Sequence, residues 1–304
     1  MKIKIYFILM IFTSFTCLIM SCETMAKAVD AKAQSARESG TISQNTADAI
    51  SNSSRAIGSA AETITPEQEY YIGRAVAANI LATYKIYNGN PALTSYLNNI
   101  CAAITLNSPR PDVYNGYHVA ILDTNEVNAF ATSGGHIFVS RGLIGAAKSE
   151  DALAGVIAHE VAHIQLRHSI KAIKTNRITQ ALIVTGASAV GAVTGKNVNH
   201  LTEVFTESVG EIFQTIVNSG YSQAQEFAAD NTALGLLASA GYSPSGLIDM
   251  LSELKAVQGN SSGGFNKTHP TPAQRIANAE KSLGRYKVID TRSYRQARFS
   301  SIVR

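Results

Sequence analysis

Cysteine is scarce in this chain, three in 304 residues, and the positions of the three exclude a disulfide framework. Cys17 lies inside an apolar N-terminal run, Cys22 stands just past its end, and Cys101 is left without an intramolecular partner. The fold must then be held by its core and by whatever ligands its side chains gather, and Cys101, in a helical pattern, is expected to be a small buried hydrophobe. Concentrated positive charge is missing as well. The formal net charge is +4, and no Lys/Arg cluster interleaved with aromatics occurs, so a pI of about 8.9 gives no support to a nucleic-acid partner. Long apolar stretches are also lacking. The run Ile5 to Met20 and the Ile/Val/Ala/Gly segment 178–195 are both short for a membrane span, and the second is broken by Gly186, Gly191 and Gly195. That second segment is expected as a buried or interface-dipping hairpin.

What the chain does have is His159-Glu160-Val161-Ala162-His163. On an α-helix two residues four apart share a face, so both imidazoles can reach one cation, and Glu160 lies beside it. A catalytic metal needs this set: two neutral His ligands, an open position, and a carboxylate to take a proton from water. The flanks supply the helix. Ser149 is the N-cap, Glu150 and Asp151 place negative charge in the first turn, and Arg167, Lys171 and Lys174 lie near the other end. Leu153, Val156, Ile157, Val161, Ile164 and Leu166 make the helix apolar almost all round, the mark of a buried one. Two buried imidazoles beside a buried carboxylate would be costly to desolvate without a metal. A third ligand is needed, and Glu226 is the candidate. It sits in the first turns of a helix opened by the capping box Ser222/Gln225, with Asp230 four residues on to accept the N–H of a ligand imidazole.

The two ends of the chain differ from its middle. Residues 1–21 are expected to be an export signal, with Lys2 and Lys4 ahead of the apolar run and Ser21-Cys22 after it. Leu18-Ile19-Met20-Ser21-Cys22 resembles a bacterial lipoprotein lipobox, which implies that Cys22 is lipid-modified and tethers the protein to the cell envelope, facing the periplasm. An ordinary cleaved signal and an uncleaved anchor helix are the alternatives. Residues 22–64, rich in Ala, Ser, Thr, Asn and Gln, are expected to be a flexible linker. A folded domain is expected over 65–285, and 286–304 as a basic, peripheral C-terminal tail.

Within the domain the pattern is mainly α. Thr65-Pro66-Glu67-Gln68 starts a helix with Ile72, Val76, Ile80 and Leu81 on its apolar face, ending near Asn88-Gly89, and a second helix follows Asn90-Pro91. The convincing β region is Tyr117 to Leu122, Ala129 to Thr132, the turn Ser133-Gly134-Gly135, and Ile137 to Val139. A small sheet thus precedes the His-Glu-x-x-His helix, and Asn128, Ala129, Phe130 and Ala131 are the candidate edge to which an extended peptide adds as a strand. His118 and His136 lack partners at ligand spacing and are expected to be solvent-facing. Val204 to Val217 is helical, with Glu203, Glu207 and Glu211 on its polar face, and two amphipathic helices, 244–257 and 272–283, flank a Gly/Ser loop at Gly259–Gly264. His269, held by Pro270 just after that loop, is a candidate for action at the metal, either on a developing oxyanion or as a latch on the open position.

Together these segments resemble the M48 family of zinc metallopeptidases, which includes the CAAX-prenyl endopeptidase relatives and bacterial periplasmic quality-control proteases. The matching stretches are Asn128-Ala129-Phe130-Ala131 with the Gly-Gly after it, Ile137 to Leu143, His159 to His168, Tyr221-Ser222 through Glu226 and Asp230, and His269-Pro270 with Arg275-Ile276. The resemblance implies an α+β, mainly α, gluzincin-like fold with a small sheet over the active-site helix. It implies one Zn2+ per chain on His159, His163 and Glu226, with Glu160 as general base and Asp230 as support. The substrate would be unfolded or misassembled polypeptide. In one departure, Gln223 stands where the family usually carries Arg, which bears on substrate alignment or helix anchoring. The rival expectation is a lipid-tethered, non-catalytic zinc-containing peptide-binding or assembly factor, for which Glu160 would be dispensable.

Overall fold

The computed structural model describes residues 31–40, 43–45, 48, 64–171, 197–258, 268–287 and 291–303, with side chains of the 197–214 helix described from Thr206. The export signal 1–21, Cys22, most of the linker, the segment 178–195 and the loop Gly259–Gly264 lie outside the described residues. The chain forms two units, Met1–Thr63 with Ala172–Val204, and Ile64–Lys171 with Phe205–Arg304. In the first, residues 31–38 are helical. The second contains every described candidate residue.

That unit opens with helix α1 (Pro66–Thr83), whose capping box is complete: Thr65 Oγ1 accepts from Gln68 N, and Gln68 Oε1 from Thr65 N. Ile72, Val76 and Ile80 are buried, but Leu81 is 41% exposed. The helix stops before the expected Asn88-Gly89, because the chain leaves it to pair with the sheet: Tyr87 N donates to Ile121 O at 2.8 Å, and Ile86 bridges Leu122. Helix α2 (Pro91–Leu106), capped by Asn90, buries Leu93, Leu97, Ile100 and Ile104. Cys101 is buried there, and burial pushes its thiol up to about 12, so it stays protonated and inert.

Strands β1 (His118–Leu122), β2 (Ala129–Thr132) and β3 (His136–Ser140) form a sheet in the order β1-β3-β2, with β1 parallel and β2 antiparallel to β3. His118 is exposed, as expected. His136 is not: its ring stacks on Tyr70 of α1 at 5.4 Å and its Nδ1 is buried, because α1 covers this end of the sheet. After the short helix α3 (Arg141–Ala146) comes α4 (Glu150–Gln165), with Ser149 Oγ accepting from Ala152 N. Every α4 residue from Glu150 to Ile164 is buried.

The remaining elements are helical. They are α5 (Asn197–Gln214), which passes into a π-helical turn at Thr215–Ser219, then α6 (Gln223–Ser239), α7 (Ser245–Gln258), α8 (Pro272–Leu283) and α9 (Arg292–Ile302). Helices α2, α6, α7 and α9 and strand β2 all pack on α4, while α8 lies on α6 and α7. Gly155 lets α7 come close: a Cβ there would meet Leu247 Cα at 2.7 Å. The result is a mainly α, α+β fold with a small sheet against its central helix.

The chain beyond 285 corrects the expectation of a peripheral tail. Phe299 of α9 is fully buried, Arg295 pairs with Asp151 at 3.0 Å, and Arg298 pairs with the buried Glu150. The basic residues that made the segment look solvated are the partners of two carboxylates in the first turn of α4. Those carboxylates face the helix's positive end as well.

Candidate metal centre

Helix α4 presents His159, Glu160 and His163, α6 presents Glu226 and Asp230, the segment before α8 presents His269, and α8 presents Arg275. Ser222 starts α6 with both hydrogen bonds of its capping box to Gln225, which fixes Glu226 in the first turn. The imidazole Nε2 atoms of His159 and His163 lie 3.0 Å apart, and the Glu226 oxygens lie 3.5 and 3.4 Å from them. Donors at ~2.0–2.1 Å from one tetrahedral cation would stand about 3.3 Å apart. Two lone pairs cannot face each other at this range without a cation or proton between them. The three donors therefore fit a metal ion. One nitrogen of His269 joins the same cluster, all four ligand atoms lying within 4.8 Å of one another.

The other side of each imidazole is also engaged. Asp230 Oδ1 is 3.0 Å from His159 Nδ1, and Arg275 grips Asp230 with Nη2 to Oδ1 at 2.6 Å and Nε to Oδ2 at 3.0 Å. Arg275 is fully buried. Its role was missed in the sequence, where it stood only as part of a matching stretch. Its spacing from Asp230 has no local meaning, and only the packing of α8 on α6 brings the two together. His168, just past α4, was missed in the same way: its Nδ1 is 2.9 Å from His163 Nδ1. Tyr221 stacks on the His163 ring, centroid to centroid at 4.5 Å, and lies 5.6 Å from the His168 ring. Gln223 lies in the first turn of α6 with its side chain exposed.

Electrostatics follow from burial and pairing. Burial and Arg275 push His159 down, yet its hydrogen bonds to Asp230 and Glu226 prevail and raise it to about 9 in the metal-free cluster. Burial drives His163 well below its ordinary value and His168 down to about 4, so both are neutral at pH 7. Burial alone would raise Glu226, but His269 and His163 hold it well below the carboxylate range. Glu160 behaves differently. Burial raises it to about 7, and its Oε1 is buried without a hydrogen-bond partner. A carboxylate poised near neutrality with a free oxygen suits a general base.

The predicted peptide edge is where the sequence placed it, but it is closed. β2 is the sheet's outer strand, and Ala129, Phe130, Ala131 and Thr132 are all buried. Asn128 is buried too, its Oδ1 accepting from Ala129 N. Between β2 and α4 remains a cavity of about 10 Å³, lined by Phe130, Glu160, His163, Ile216, Tyr221 and His269 among others. That is room for about one water. The π-helical turn at Thr215–Ser219 packs on β2, and His269 Nδ1 lies 2.7 Å from Glu226 Oε2. No described helix is long and apolar enough to cross a membrane.

A family model described as Peptidase family M48 matches residues 90–283, more than half of the chain. The chain is 26% identical to the beta-barrel assembly-enhancing protease of Escherichia coli K12 over 223 residues, 73% of this chain and 45% of that protein. It is 35% identical to the Metalloprotease LoiP of the same strain over 151 residues, 49% of this chain and 56% of that protein. The mitochondrial metalloendopeptidase OMA1 of Schizosaccharomyces pombe is 28% identical over 196 residues, 62% of this chain and 53% of that protein. The chain thus spans about half the length of these relatives.

Proposed function

Because the chain belongs to peptidase family M48, we propose that it is a zinc-dependent endopeptidase of the cell envelope, with His159, His163 and Glu226 as metal ligands. The observation that carries the reading is the convergence of three buried donors at tetrahedral spacing beside a buried carboxylate oxygen that has no partner. Zinc bound there supplies Lewis acidity to the scissile carbonyl. Glu160 Oε1 takes a proton from the water as its oxygen adds to the scissile carbonyl carbon, and then returns that proton to the amide nitrogen, so that the C–N bond breaks and the carbonyl reforms as the acid. Asp230, clamped by Arg275, holds His159 in the tautomer whose Nε2 lone pair faces the metal. Once the segments that cover β2 move aside, the substrate would lie along Asn128, Ala129, Phe130 and Ala131 as an added strand, where main-chain hydrogen bonds recognise extended polypeptide without reading its sequence.

His269 is a latch. Its nitrogen lies with the ligand atoms and its bond to Glu226 holds it over the centre, so substrate must displace it before reaching the metal. An N-terminal lipid on Cys22 tethers the protein, in keeping with the apolar run that ends there and with relatives named for beta-barrel assembly. Unfolded or misassembled envelope polypeptide is the substrate class this implies. The deciding experiment measures zinc content and casein cleavage in four variants. His159→Ala, His163→Ala and Glu226→Ala are expected to lose the metal, and Glu160→Gln to keep it and lose turnover. Full zinc in Glu226→Ala would remove that ligand from the scheme, and cleavage by Glu160→Gln would remove the base. A zinc-loaded wild type without peptidase activity would favour the non-catalytic peptide-binding factor.

A further inference from the structure

Among the described residues, Arg167 alone combines a side chain with a positive φ, 56°. It follows Leu166, the C-cap of α4, at a place where helices usually put glycine or asparagine because a Cβ is strained there. Neighbouring contacts hold the conformation. Arg167 Nε lies 3.0 Å from Glu69 Oε2, Arg167 Nη2 donates to Ile64 O at 2.7 Å, and Arg167 N donates to Ile164 O at 3.0 Å. Glu69 is itself buried and also faces Arg110 at 3.4 Å. Strain that the surroundings enforce asks what it positions.

It positions His168. Had α4 run on, His168 would lie five places after His163, about 140° round the helix axis, and would face away from it. With the left-handed turn between them, the two Nδ1 atoms are 2.9 Å apart and the rings meet edge to face at 4.9 Å. His168 is buried, so no water competes for that nitrogen. A neutral imidazole carries one N–H and one lone pair, so two Nδ1 atoms at this distance must be one donor and one acceptor.

We propose that His168 is a positioning residue for the metal: its Nδ1 accepts the Nδ1–H of His163 and thereby fixes the tautomer whose Nε2 lone pair faces His159 and Glu226. This rests on the zinc assignment above. The two ligand histidines are then oriented unequally, His159 by the charged Asp230 and Arg275 pair and His163 by a neutral ring.

The test is zinc affinity of the full chain, by competition with a chromophoric chelator, for wild type, His168→Ala, His168→Asn and His168→Gln. An Asn amide oxygen falls where His Nδ1 was, whereas the Gln amide reaches past it. His168→Ala is expected to bind zinc ~10–100-fold more weakly, His168→Asn to recover most of that loss, and His168→Gln to recover little. Thermal unfolding of the metal-free variants separates this from a folding defect, and a packing role would not sort Asn from Gln. Unchanged affinity in His168→Ala, or equal losses in Asn and Gln, would overturn the proposal. A wild type that bound no stoichiometric zinc would instead overturn the zinc assignment itself.

Discussion

Charges buried together at the candidate metal centre respond to pH in opposite senses, and two side chains make this measurable. Glu160, raised to about 7 by burial, holds a proton in the metal-free fold over a range where the unfolded chain, with a value near 4.5, has released it. Its contribution to stability is therefore complete below about 4.5 and is lost as pH rises through 7. The difference in urea midpoint between metal-free wild type and Glu160→Gln should accordingly change between pH 5 and 8, and a constant difference would show that the carboxyl is not perturbed. Asp230 has the other sign. Burial would raise it, but Arg275 and His159 hold it well below the carboxylate range. Its stabilisation is present above an unfolded value of about 3.9 and is lost as pH falls below that. Arg275→Gln should cost ~3–5 kcal/mol, because Asp230 would be left buried with its charge uncompensated; urea unfolding measures it. At this scale the sequence disclosed what depends on local spacing: His159, Glu160 and His163 on one helix face, and Glu226 and Asp230 on another. Arg275 and His168 act through a tertiary contact and a backbone twist, neither of which leaves a mark in periodicity or capping.

Among the elements, α4 is gripped at both ends. At its first turn, Glu150 takes hydrogen bonds from Tyr96 and Tyr242 and pairs with Arg298, and Asp151 pairs with Arg295 and accepts from Ser243 N. Helix α9 thus clasps the helix that carries the proposed metal ligands His159 and His163. Phe299→Ala is expected to destabilise the protein by ~3–5 kcal/mol, since the ring is fully buried. Gly155→Ala should cost ~1–3 kcal/mol through overpacking, because its Cβ would press on Leu247 backbone. Chemical denaturation checks both, and a loss of under about 1 kcal/mol in Phe299→Ala would mean that α9 contributes little. Capping boxes at Thr65 and Ser222 made the starts of α1 and α6 legible. The end of α1 was not, because Ile86 and Tyr87 leave it for the sheet. Nor was the packing of α9, whose arginines meet carboxylates 144 and 148 residues away.

For the whole molecule, the question is how so narrow a centre meets a polypeptide. Cys22→Ser should release the protein from the membrane fraction, and an unmodified N-terminus elsewhere would end the idea of a lipid tether. On the proposed reading, a tethered peptidase surrounded by folded neighbours would need restraint, and a narrow cleft would supply it. Its cavity of about 10 Å³ admits no peptide, β2 is covered by the turn Thr215–Ser219, and His269 sits on Glu226. Gly220, at φ 75°, lets the two closing segments meet, since a Cβ there would lie 2.0 Å from Thr268 O. If His269 is a latch, His269→Ala should cleave a short unfolded peptide faster than wild type, mainly through kcat/KM, because bound substrate no longer has to displace an imidazole. Adding Glu160→Gln to that variant should abolish the gain, which ties it to the same base. A loss of turnover in His269→Ala with substrate affinity retained would instead make His269 a donor to the developing oxyanion, and unchanged kinetics in a normally folded variant would leave it no part in either.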